Sequence, residues 1–142
     1  MEKKLITALV AICTVFIFIN TSDDFYKLQS ARKYTMNQEY KKAYKMLRPL
    51  AERGNVVAQY NLGVMNEKGD GTPLNYEEAV KWYHLAANQG HPKAQNNLGN
   101  LYRMGEGVLQ NYQEARKWYQ RSANQGHLTA QLNLEFLTSD QL

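Results

Sequence analysis

Few side chains in this sequence could do chemistry, and their spacing works against it. Three histidines are available, His84, His91 and His127, with no H-x3-H pair and no cysteine near them. A structural or catalytic zinc site needs three or four such ligands converging. His91 and His127 stand 36 residues apart in matching surroundings, which makes them copies of one position rather than ligands of one ion. Glu77 and Glu78 could suggest a carboxylate pair for glycoside hydrolysis. That reaction needs two carboxyl groups facing each other across about 5 to 9.5 Å, whereas adjacent residues on a helix point in different directions. Trp82 and Trp118, each followed by tyrosine, could stack on a sugar ring; at helical spacing they belong in the core between helices. The Gly69-Asp70-Gly71 and Gly105-Glu106-Gly107 loops have too few carboxylates for calcium. No glycine-rich loop suited to a phosphate follows a strand pattern. The expectation is no catalytic residue, no metal and no cofactor.

What the residues do form is a repeat. The stretch Ala58 to Lys93 recurs as Ala94 to Thr129, with 19 identities in 36 aligned pairs. A period of this length marks a supersecondary unit that buries its apolar face only against copies of itself. The second half of each unit is the clearer helix. It opens at Asn75 or Asn111, with Glu78 or Glu114 three residues on, the arrangement of a capping box. Apolar residues follow at spacings of three and four: Tyr76, Ala79, Trp82, Tyr83, Ala86 and Ala87, then Tyr112, Ala115, Trp118, Tyr119 and Ala123. Asn-Gln-Gly-His closes each, with Gly90 or Gly126 at the left-handed position. The first half is predicted to start at Ala58 or Ala94 and carries Leu62-Gly63 or Leu98-Gly99. A glycine inside a helix costs about 1 kcal/mol relative to alanine, so its recurrence points to a close helix approach, with small residues opposite.

The register extends upstream through Tyr40, Ala43, Met46, Leu47, Leu50, Ala51 and Gly54. This predicts a shorter first unit whose leading helix runs from Asp23 to Thr35 and joins through Met36, Asn37 and Gln38. Downstream, Ala130, Gln131, Asn133 and Leu134 restart the first helix, but Glu135 replaces the glycine, so residues 130–142 are expected to cap the array. At the other end, Lys3 and Lys4 precede an apolar run from Leu5 to Ile19, followed by Asp23 and Asp24. This order reads as an export signal over residues 1–22, with an uncleaved anchor as the alternative, since Asn20, Thr21 and Ser22 make a poor cleavage site. Cys13, the only cysteine, lies inside this run behind Ile12, where lipidation would want a small residue, so the rest of the chain has no thiol.

The net charge of +4 is unevenly spread. Residues 27–53 hold eight Lys or Arg against Glu39 and Glu52, while residues 54–142 hold seven against eight carboxylates. A solvated helix face is the simple reading, and an anionic membrane surface or acidic partner the sharper one. Nucleic acid is not expected as a partner.

Ala-x3-Leu-Gly, two spaced glycines, then Ala-x2-Trp-Tyr-x3-Ala-x2-Gly within 36 residues resembles the Sel1-like repeat. The resemblance is strong over 58–93 and 94–129, and looser over 23–57, where the unit is similar to the related tetratricopeptide repeat. Asn66 departs from it, standing where the family has tyrosine, as at Tyr102. The resemblance implies an all-α fold, an α-α superhelix of stacked antiparallel helix pairs, whose concave side binds peptides or proteins in bacterial envelope or signalling assemblies. Carried onto this chain, that face would comprise Tyr60, Asn61 and Val64 in the first full unit, Asn96, Asn97, Asn100 and Arg103 in the second, and Leu132, Asn133 and Phe136 in the last helix. Asparagine amides donate and accept, which suits a peptide backbone of any sequence. The same asparagines could instead be ordinary packing or solvated residues. The expected function is a monomeric, non-enzymatic protein-binding module, periplasmic or secreted, or anchored in the inner membrane facing the periplasm. A secreted factor meeting a host or competitor protein is one alternative. An enzyme acting on cell-wall or β-lactam-like substrates, by analogy with cysteine-rich relatives, is the other and lacks a nucleophile here.

Overall fold

The computed structural model describes residues 22–139; the proposed export signal, Cys13 and the last three residues lie outside them. Seven helices follow one another and no strand occurs among the described residues. They are α1 (22–36), α2 (Tyr40–Glu52), α3 (Val56–Lys68), α4 (Tyr76–Asn88), α5 (Pro92–Met104), α6 (Tyr112–Ala123) and α7 (Leu128–Ser139). None of these is long and apolar enough to cross a membrane. Each helix from α2 onward packs against the next, and α3 also touches α5, so alternate helices share a layer and the chain winds as an α-α superhelix.

The capping residues explain where the helices begin. Asn75 Oδ1 accepts from the Glu78 N–H and Asn111 Oδ1 from the N–H groups of Gln113 and Glu114, all at 3.0 Å. The reciprocal half of the capping box is replaced. Glu78 and Glu114 pair instead with Lys81 and Lys117, and the N–H groups of Asn75 and Asn111 bond back to the Asn66 and Tyr102 carbonyls. The first helices start two residues earlier than the apolar pattern predicts, at Val56 and Pro92, because Asn55 and His91 cap them: Asn55 Oδ1 accepts from the Ala58 N–H and His91 Nδ1 from the Ala94 N–H. Between α1 and α2, Gln38 takes the left-handed conformation at φ 61°, where the full units use glycine loops.

Two kinds of glycine contact set the spacing of the layers. A Cβ on Gly63 would lie 2.5 Å from the Tyr83 ring, and one on Gly99 2.6 Å from the Tyr119 ring. The residues opposite these glycines are therefore wholly buried tyrosine rings, where the sequence pattern suggested small side chains. Gly71 and Gly107, at φ 76° and 70°, press the loop backbone of one unit onto the first turn of the preceding second helix, at Tyr40 and Tyr76. The tryptophans tie units in the same direction. Trp82 of α4 packs on the cluster of Leu47, Leu50, Leu62 and Met65, and Trp118 of α6 on that of Tyr83, Leu98 and Leu101. Both indoles are core residues, and neither Nε1 has a hydrogen-bond partner among the described residues.

Candidate functional site

The layer formed by α1, α3, α5 and α7 carries the residues that the sequence placed on the concave face. Its centre is a chain of amides and phenols. Tyr83 Oη donates to Glu67 Oε2 and accepts from Asn97 Nδ2 at 3.1 Å. Asn97 Oδ1 accepts from Asn96 Nδ2 at 3.3 Å, and Asn96 Oδ1 from Asn133 Nδ2 at 3.0 Å, which bridges α5 to α7. Asn100 Oδ1 accepts from Tyr119 Oη at 2.7 Å and, at 3.4 Å, from Asn133. Burial and the neighbouring Glu67 carboxylate push the Tyr83 phenol far above its ordinary pKa. Burial also raises Tyr119, opposed by Arg103 beside it. Both phenols thus stay protonated at physiological pH, as donors to Glu67 and Asn100.

The structure brings these asparagines together and also occupies them. Asn96 is only 5% exposed, so it acts as a strut inside the array. Asn97, Asn100 and Asn133 are half-buried and keep one edge toward the surface. Asn100 uses only Oδ1, and its amino group makes no bond with another described residue. Asn61 is half-buried and donates to the Val57 carbonyl, leaving its own oxygen available. Tyr60 stacks on His91 at 4.5 Å between ring centroids and leans on Tyr83, while Val64 packs beside the same cluster. Arg103 is half-buried next to Tyr119. At the far end Leu132 and Phe136 are 64% and 56% exposed.

The pattern missed the near end of the same layer. Phe25, Leu28, Gln29 and Arg32 of α1 face Val57 and Asn61 of α3 across a recess of about 480 Å³. Phe25 and Val57 are largely exposed there. The only signal for it was that α1 stands one unit before α3 in the same layer, and the loose repeat match over α1 hid it. The sequence also missed the clamps behind the groove. Gln59 and Gln95, almost fully buried, donate to the Ala51 and Ala87 carbonyls of the preceding helices at 3.1 and 3.0 Å. Each then accepts from a glutamine in the next turn, Gln89 or Gln125, at 2.7 or 2.8 Å. Asn66, which departs from the family pattern, is 2% exposed, with its amide donating to the Leu62 carbonyl at 2.7 Å.

The histidines serve the scaffold. His84 Nε2 lies 3.0 Å from Tyr102 Oη and its ring meets Trp118 edge-on. His91 caps α5, whereas His127, its repeat copy, leaves Nδ1 buried without a partner. Burial lowers the pKa of His84, and burial together with Lys93 and His127 lowers that of His91. No group of three or more metal-ligating side chains occurs among the described residues.

The Sel1 repeat family matches residues 34–55, 56–91 and 92–127, well over half of the chain, and the chain belongs to that family. Repeats of this kind are in general protein–protein interaction modules, typically non-catalytic. Among solved structures, a Sel1 repeat protein from Oxalobacter formigenes is 35% identical with a TM-score of 0.76, over 80% of this chain and 47% of its own. A protective antigen present in uropathogenic Escherichia coli strains, with the same repeat fold, is 33% identical at a TM-score of 0.74, covering 83% of this chain and 26% of that one. Cysteine-rich protein B of Helicobacter pylori shares the fold at 20% identity and a TM-score of 0.62, over 76% of this chain and 92% of its own. The chain thus spans less than half the length of the first two. No curated protein matches it.

Proposed function

We propose that this chain is a non-enzymatic adaptor of the bacterial cell envelope that holds an extended protein segment along the α1, α3, α5 and α7 layer. The observation that carries the reading is the ordering of that surface. Exposed apolar side chains stand at both ends, Phe25 and Val57 at one and Leu132 and Phe136 at the other, with half-buried asparagine edges between them. Amide edges can pair with peptide backbone, and the apolar ends can select side chains. The Tyr83 and Tyr119 phenols hold the Asn97 and Asn100 amides in place, which lowers the ordering cost of binding.

A photo-crosslinking residue at Val57 tests the reading in intact cells, with Lys117 on α6 as the control. Val57 lies in the layer outside the amide chain, so the network survives the substitution. A discrete adduct from Val57 and none from Lys117 supports the groove. Adducts from Lys117 alone place the interaction on the other face and overturn it.

A further inference from the structure

The outer face of the first unit carries a second recess, of about 430 Å³, lined by Lys41, Tyr44, Lys45, Arg48, Pro49 and Glu52 of α2 and by Gly71. The three cations sit at spacings of four and three residues, hence on one helix face. Glu52 takes up Arg48 at 2.9 Å. Lys41 and Lys45 have no anionic partner among the described residues.

The repeat supplies its own control for what this means. Gly107 meets Tyr76 and Glu77 as Gly71 meets Tyr40 and Lys41, so the same backbone contact recurs one unit later. Its chemistry does not. There Glu77 stands at the register of Lys41, His84 at that of Arg48, and Lys81 is neutralised by Glu78 at 2.5 Å. Lys117 is neutralised by Glu114 in the same way. In the first unit the position of that glutamate holds Lys42, itself paired with Glu39, so Lys45 is left uncompensated.

We propose that this recess binds the phosphoryl group of a phosphate monoester or of an anionic lipid headgroup. Two uncompensated ammonium groups match a dianion, and the Tyr44 hydroxyl adds a neutral donor. The recess is larger than bare phosphate and leaves room for what the phosphoryl group is attached to.

The test follows backbone amide shifts of the folded chain during titration with inorganic phosphate, against chloride at equal ionic strength. Lys42→Glu installs the carboxylate that the other units carry, and Lys45→Gln removes one cation without adding charge. The expected result is a saturable shift confined to residues 41–48 and 71, weakened about fivefold by Lys45→Gln and more by Lys42→Glu, at about fivefold per surface cation. Co-sedimentation with phosphatidylglycerol but not phosphatidylcholine vesicles, lost in Lys42→Glu, would assign the group to a lipid surface; phosphate binding without co-sedimentation would assign it to a soluble phosphate ester. Absence of a phosphate-specific shift, or one unchanged in both variants, overturns the proposal.

Discussion

At the scale of single residues, the side chains that resemble chemical groups are occupied by packing and capping. His91 shows this most clearly, because its Nδ1 must stay unprotonated to accept from the Ala94 N–H. Its folded pKa is lowered, chiefly by burial, then by Lys93 and His127. The unfolded chain therefore takes up a proton first, as pH falls through about 6.5. Stability is full above that value and declines as pH drops toward the folded pKa. His91→Asn should reduce this decline in urea titrations between pH 7 and 5, leaving the part due to His84, whose pKa burial also lowers, because Asn55 already caps α3 by the same bond. His91→Ala should cost about 0.5–2 kcal/mol at pH 7, as the loss of an N-cap does. Gly99→Ala makes a second case. A methyl 2.6 Å from the buried Tyr119 ring cannot be relieved by a flexible side chain, so overpacking should destabilise the fold by about 1–3 kcal/mol, read from the urea midpoint.

Among the elements, the helices were legible because their signals are local. Asn75 and Asn111 open a helix wherever a periodic apolar face follows, and Gly90 and Gly126 close it. The starts of α3 and α5 escaped because Asn55 and His91 precede the apolar period, and histidine is an uncommon cap. The partners of Gly63 and Gly99 were hidden for a different reason: periodicity gives the face a tyrosine lies on, not which residue of a neighbouring helix it meets. The glutamine clamps are equally non-local, since Gln95 bonds to Ala87 and to Gln125, thirty residues on. Of the proposed binding layer, the sequence reached α3, α5 and α7 by transfer of helical phase, but missed that Asn96 is a buried strut and that α1 supplies one end of that surface. The clamp carries its own prediction. Gln95→Ala strands the buried Ala87 carbonyl and should cost about 1–3 kcal/mol, whereas the same change at Gln131, exposed on α7, should fall within about 0.5 kcal/mol.

For the whole molecule, stacking turns a weak unit into a stable array and leaves one layer free to face a partner. Each tryptophan, and Gly71 and Gly107 of the loops, reaches into the preceding unit, so neighbouring units are coupled. The proposed function, holding a chain rather than transforming it, uses this coupled, amide-lined surface with apolar ends. The most direct test uses the partner identified by crosslinking at Val57 and compares two doubly charged variants. Val57→Asp with Leu132→Asp places charge at both ends of the groove, on exposed positions that spare the core; Lys81→Asp with Lys117→Asp changes the opposite face. The groove pair should weaken binding by about tenfold or more, as expected when apolar anchors are lost, with the outer pair within about twofold of wild type. Equal loss from both pairs, or loss from the outer pair alone, would contradict binding through the first-helix layer.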